Sequence, residues 1–152
     1  MPVFQFIANL KTSRKFANLS QVQNEALIDA LTAAKAIDGQ LREVERQELL
    51  EVMDMLEWDG VQSMASYIED AVERARSIEP VGESLQEFFA DVGERLGEDW
   101  LREEAYYLSS RIALADEEVV EPERLLLKHM VKALGIDADR QQAIISKVHE
   151  GI

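Results

Sequence analysis

At 152 residues, 47% apolar and 30% charged, the chain has the length and balance of one globular domain rather than a disordered or fibrous polymer. Three prolines and seven glycines leave room for long helices, and the absence of cysteine excludes disulfides, zinc–thiolate sites and thiol catalysis. The net charge of −14 divides into +3 on the first 20 residues and −17 on the rest, and an acidic body repels the phosphates of a nucleic acid.

The first element, Val3-Phe4-Gln5-Phe6-Ile7-Ala8-Asn9-Leu10-Lys11, is apolar and then basic. Two readings stand. Phe4, Ile7 and Leu10 pack a short helix on the domain, or the segment lies on an anionic membrane as a peripheral contact. It lacks the small-residue cleavage site of a signal peptide, and no apolar run in the chain reaches membrane-spanning length. A cytoplasmic protein without a transmembrane segment is expected, and the lack of cysteine suits that compartment.

Ser20-Gln21-Val22-Gln23 has the spacing of a capping box and predicts a helix to about Ile37. A loop over Asp38–Arg42 follows, then a helix from about Glu43 to Glu57. Asp59-Gly60 breaks the chain, and Val61 to about Ile78 reads as a long helix with Val61, Met64, Ala65, Ile68 and Val72 on one face. Glu79-Pro80-Val81-Gly82 is a turn, and Ser84–Leu96 is a helix that Gly97 stops. Asp99 is placed to cap the next helix, which ends near Asp116. Pro122 suits the first turn of another helix, and the helical segment Leu125–Leu134 is closed by Gly135. Asp137 caps a last helix to about Val148. About seven helices joined by short connections predict a compact all-α bundle, one domain over residues 1–152.

Two parts of this chain match each other 78 positions apart. Asp38-Gly39-Gln40-Leu41-Arg42-Glu43-Val44-Glu45-Arg46 aligns without a gap on Asp116-Glu117-Glu118-Val119-Val120-Glu121-Pro122-Glu123-Arg124, with the Asp, both Glu and the Arg identical. Leu27, Ala30, Ala34 and Ile37 fall on Ala105, Leu108, Ile112 and Ala115, and Leu49, Val52, Met53 and Leu56 fall on Leu127, Met130, Val131 and Leu134. Both sets have helical spacing, so an internal duplication is expected, with helix–acidic loop–helix copies at about 22–56 and 100–134 and a helical insert at about 58–98.

The joints carry the candidate chemistry. Asp38 to Glu45 resembles the second half of a calcium-binding loop, but the first half is missing: its acidic positions are Ala34 and Ala36, or Ile112 and Leu114. If the copies pack about a two-fold, Asp38, Glu45, Asp116 and Glu123 converge, supported by Glu43 and Glu121, and suit Ca²⁺, Mg²⁺ or Mn²⁺ through oxygen ligands. The competing reading is helix grammar, since Glu43, Glu45, Glu121 and Glu123 all sit where a helix N-terminus welcomes negative charge. The second copy keeps its acids although Glu117 replaces the glycine, which capping alone does not explain.

No catalytic constellation accompanies the acids. His129 and His149 follow Leu126 and Ser146 rather than the Glu a di-iron bundle needs, and there is no phosphate loop or nucleophile elbow. His129 reads as a helix-surface residue. Trp58, Trp100, Tyr106 and Tyr107, at helical positions, read as core or core edge. The pairs Glu45-x-x-Glu48 and Asp70-x-x-Glu73 are weak signals in so acidic a chain.

Ala33-Ala34-Lys35-Ala36-Ile37-Asp38-Gly39-Gln40-Leu41-Arg42-Glu43-Val44-Glu45-Arg46 resembles the signature of the tellurite-resistance TerB-like family. So do Ile112-Ala113-Leu114-Ala115-Asp116, Glu121-Pro122-Glu123-Arg124 and Met130-Val131-Lys132-Ala133-Leu134-Gly135-Ile136-Asp137. A related domain precedes the J-domain in DjlA-type co-chaperones. The resemblance spans roughly residues 20–150, but its specific part is the two joints. It implies a cytoplasmic, non-enzymatic, cation-binding scaffold or regulator of bacterial stress and tellurite resistance, with Asp38, Glu45, Asp116 and Glu123 as the acidic positions. The alternative is a metal-independent module that docks a basic protein partner through its acidic face.

Overall fold

The structure, a computed structural model, describes residues 16, 18–37, 47, 49–51, 54, 56–79, 81–114 and 121–150. Six helices have both ends among them: α1 Gln21–Ala36, α2 Met64–Arg76, α3 Gly82–Leu96, α4 Asp99–Leu114, α5 Glu121–Ala133 and α6 Ala138–Glu150. Residues 47 and 49–51 are also helical, within the span where a helix is predicted from Glu43 to Glu57. No strand occurs among the described residues, so the all-α expectation holds.

The capping box forms. The Ser20 hydroxyl accepts from the Gln23 N–H at 3.1 Å, and the Gln23 side-chain Oε1 accepts from the Ser20 N–H at 2.9 Å. From there α1 is buried almost all round. Ala26, Leu27, Ile28, Ala30, Leu31, Ala33, Ala34 and Ala36 have no exposed surface, and a helix without a polar stripe must lie in the middle of its domain. It packs against α2, α3, α4 and α5, and its alanines let those helices approach. Polar side chains at its N-terminal end grip the neighbours. Gln21 Oε1 accepts from the Asp59 N–H at 2.8 Å, Asn24 Nδ2 donates to the Glu57 carbonyl at 2.9 Å, and Gln23 Nε2 donates to the Leu96 carbonyl at 2.9 Å.

The outer helices are one-sided. On α2 the inward face is Ile68, Ala71, Val72 and Ala75, with Met64 and Tyr67 at its edge. Two members of the predicted face are misplaced. Ser63 caps α2 by accepting from the Ser66 N–H, so Val61 precedes the helix and is fully exposed, and Ala65 lies on the outer side. Trp58 also stands outside any helix, its indole N–H donating to the Gln62 carbonyl at 2.7 Å. Trp100 is 41% exposed, with its ring 6.4 Å from the buried ring of Phe16. Of the first segment, residues 1–15 lie outside the described residues.

Helix ends follow local chemistry. Gly97 and Gly135 take φ of +78° and +72°, a region open to glycine at little cost. After α5 the Gly135 N–H donates to Lys132 and the Ile136 N–H to Val131, a Schellman closure, and both Val131 and Ile136 rest on the core. Asp137 caps α6 through its carboxylate on the Arg140 N–H at 2.8 Å. Asp99 differs from expectation. The Glu98 carbonyl receives the Arg102 N–H, so Glu98 holds the cap position, and Asp99 is the first helical residue, bound by Arg102 at 3.3 Å.

α1 and α4 are both 16 residues long and their bounds are 78 positions apart. The matched pairs Leu27/Ala105, Ala30/Leu108 and Ala34/Ile112 are all buried. The joints that follow, 38–46 and 115–120, lie outside the described residues. Among the described residues no helix is long and apolar enough to cross a membrane.

Gly135→Ala should cost about 1–2 kcal/mol, because a Cβ at positive φ is strained. Ser20→Ala should cost about 1 kcal/mol. Denaturant midpoints of the two variants measure both.

Candidate functional site

Of the residues proposed from the sequence as cation ligands, the structure describes two. Glu121 and Glu123 both lie in the first turn of α5, where negative charge complements the helix dipole. Glu121 is exposed and Glu123 is buried, 7% exposed. Asp38, Glu43, Glu45 and Asp116 lie outside the described residues. Among the described residues no three His, Asp or Glu side chains gather as a metal site would. Asp70 and Glu73 are on the surface of α2, the first accepting from Gln62 Nε2 at 2.7 Å and the second from Arg76 at 3.4 Å. His129 is half-buried rather than on the surface. Its Nδ1 is 2.9 Å from Gln86 Oε1, and its ring fills the space a side chain at position 82 would need.

A buried charge with three partners lies elsewhere. Asp29, in the middle of α1, is 5% exposed. One of its oxygens receives Arg74 Nη2 and the other Arg95 Nη2, each at 2.8 Å, and the Tyr67 hydroxyl donates to the pair at 3.1 and 3.2 Å. Tyr67 and Arg74 come from α2 and Arg95 from α3, so a single carboxylate ties three helices. The network continues outward: the Arg74 guanidinium lies 5.1 Å from the Tyr67 ring centroid, Tyr67 packs 5.3 Å from Trp58, and Arg95 also holds Asp91 at 3.0 Å. Burial, and then the Asp29 charge, push the Tyr67 hydroxyl up to about 12. Burial works to lower Arg74 and Arg95, but the hydrogen bonds and charge of Asp29 outweigh it and hold both above the usual range. With both oxygens of Asp29 taken, this cluster is a clamp rather than a reaction centre. Its sequence signal is a lone acid in an apolar run, Leu27-Ile28-Asp29-Ala30-Leu31.

Two surface features remain. Along α3, Glu83, Glu87, Asp91 and Glu94 are exposed at spacings of three and four, which aligns like charges on one face. Only Asp91 is matched by a cation. The second feature is the seam between α4 and α6. A cavity of about 190 Å³ is lined by Glu103, Glu104, Tyr107, Arg140, Ile144 and Lys147, and a second of about 150 Å³ shares Glu103 and Arg140. Arg140 forks onto Glu103, with Nε 3.1 Å from both carboxylate oxygens, and Lys147 Nζ lies 4.5 Å from the Tyr107 ring centroid. Compared with protein-family models, curated proteins and solved structures, the chain matches none.

Asp29→Ala should destabilise by about 2–3 kcal/mol in chemical denaturation. That is below the ~3–5 kcal/mol of a fully buried pair, because Arg74 and Arg95, 48% and 26% exposed, can turn to water. Tyr67 predicts an alkaline effect. The folded state holds its proton to about pH 12, whereas an unfolded tyrosine releases it near pH 10, so this contribution is full below pH 10 and is lost on rising to pH 12. Tyr67→Phe should flatten that decline, measured by unfolding at pH 9 to 12.

Proposed function

We propose that this protein is a non-enzymatic acidic helical module that docks a basic protein partner, with the α3 face as the contact surface. The observation that carries the reading is the set Glu83, Glu87 and Glu94, exposed and without a cation on any of them. Like charges one turn apart destabilise a helix, and Glu94 stands in the last turn, where the dipole disfavours a negative charge. Glu83, in the first turn, suits the dipole, but stability does not call for Glu87 or Glu94. A basic partner does, through complementary potential and steered association.

A second reading has its own observation. Glu123 is held buried at the start of α5 and is, with Glu121, one of the two described acids of the duplicated motif. It supports a divalent-cation module in which Asp38, Glu45, Asp116 and Glu123 would bind Ca²⁺, Mg²⁺ or Mn²⁺, in line with the TerB-like resemblance and a tellurite-resistance or stress-response scaffold in the cytoplasm. The basic, apolar N-terminal segment would then supply any peripheral membrane contact.

Titration calorimetry separates the two. An oligolysine peptide should bind the full chain, more weakly as NaCl rises. The triple variant Glu83→Gln/Glu87→Gln/Glu94→Gln should bind it roughly tenfold less tightly, taking about 0.5 kcal/mol per exposed charge pair, and should melt no lower than the wild type. Unchanged affinity in that variant would sink the α3 face. Binding of Ca²⁺, Mg²⁺ or Mn²⁺ that raises the melting temperature beyond matched NaCl, and that disappears in Asp38→Asn/Asp116→Asn, would favour the cation reading instead.

A further inference from the structure

The seam between α4 and α6 already holds an ammonium. Lys147 Nζ lies 4.5 Å from the centroid of the Tyr107 ring, whose face attracts cations, and Glu103 and Glu104 line the same cavity. With Lys147 forming one wall, the cavity beside the ring still measures about 190 Å³, below the ~300 Å³ at which small-molecule pockets begin, so it admits a side chain rather than a cofactor. Ile144 and Ala143 give it an apolar side for a methylene stem, with the charge at the far end. Lys147 is exposed, lies in the last turn of α6 and hangs on a flexible stem, so it can leave at little cost. Arg140 is fixed differently, forked on Glu103. That engagement takes both oxygens of Glu103 and leaves the ring face, where an ammonium already sits, as the place for a guest of the same chemistry.

We propose that this seam receives a single lysine side chain of a basic partner, whose ammonium takes the Tyr107 ring face that Lys147 covers until the partner arrives. The partner's basic character rests on the docking reading, whereas the receptor geometry stands apart from the α3 face. Self-occupancy lowers apparent affinity by the fraction of molecules whose seam is open, so Lys147 acts as an internal competitor that sets the threshold for binding.

The test uses the full chain and an acetylated, amidated peptide of alternating glycine and lysine, with affinity from calorimetry and ring contacts from the Tyr107 proton resonances. Lys147→Ala should tighten binding about two- to fivefold relative to Lys132→Ala, which makes the same charge change on exposed α5 surface. Tyr107→Phe should bind as the wild type does, since the ring face is kept. Tyr107→Leu should bind two- to fivefold more weakly. If Tyr107→Leu does not fold, the comparison of Lys147→Ala with Lys132→Ala decides alone. Equal affinities in that pair, or a peptide that leaves the Tyr107 resonances in place, would overturn the seam. If the peptide still responds to the α3 substitutions in that case, docking survives without the seam. If it binds none of these proteins, both fall.

Discussion

A carboxylate with almost no contact with water, held by two guanidiniums and a phenol, is the constraint around which this bundle is arranged. Asp29 sits on a helix that packs against four others, and its partners come from the two helices that follow. Hydrophobic burial alone would let α2 and α3 slide along the alanine-rich surface of α1, because small side chains offer few knobs to fix a register. A buried charge does not tolerate sliding: a shift of one residue on either helix would leave it unpaired in a low-dielectric interior. Apolar contact supplies the cohesion, and Asp29 selects the alignment.

Helix ends were legible in the sequence wherever the signal is chemical and local. The Ser20 box, the Gly97 and Gly135 stops and the Asp137 cap depend on a few adjacent residues, and each appears in place. The misses share a cause. Val61 and Ala65 extend a helical apolar pattern, but Ser63 competes for the helix start and wins by bonding the Ser66 N–H, which turns both away from the core. Trp58 has helical spacing and does rest at the core edge, but its indole is used to brace a loop. Asp99 has the residue type of a cap, yet the preceding Glu98 carbonyl begins the hydrogen-bond ladder.

The candidate sites were less legible, for a physical reason. An acid inside an apolar helix looks like an interruption until its partners are known, and Tyr67, Arg74 and Arg95 are 38 to 66 positions further along. The α4–α6 seam likewise joins residues from two helices, and neither half has a motif of its own. Local repetition draws attention to the joints because it is visible in one dimension. Pairing across the bundle is not.

The burial of α1 on every side bears on how the molecule opens. A helix with no solvent-facing stripe cannot remain folded when its cover is removed, and its cover is drawn from both halves of the chain. Loss of α2, α3 or α4 exposes enough of its apolar surface to make partial unfolding unfavourable, so the six helices should respond as one cooperative unit. The amides in the middle of α1 are then among the slowest to exchange with solvent, released only by global opening, while those of α6, covered on one side, exchange through local fraying.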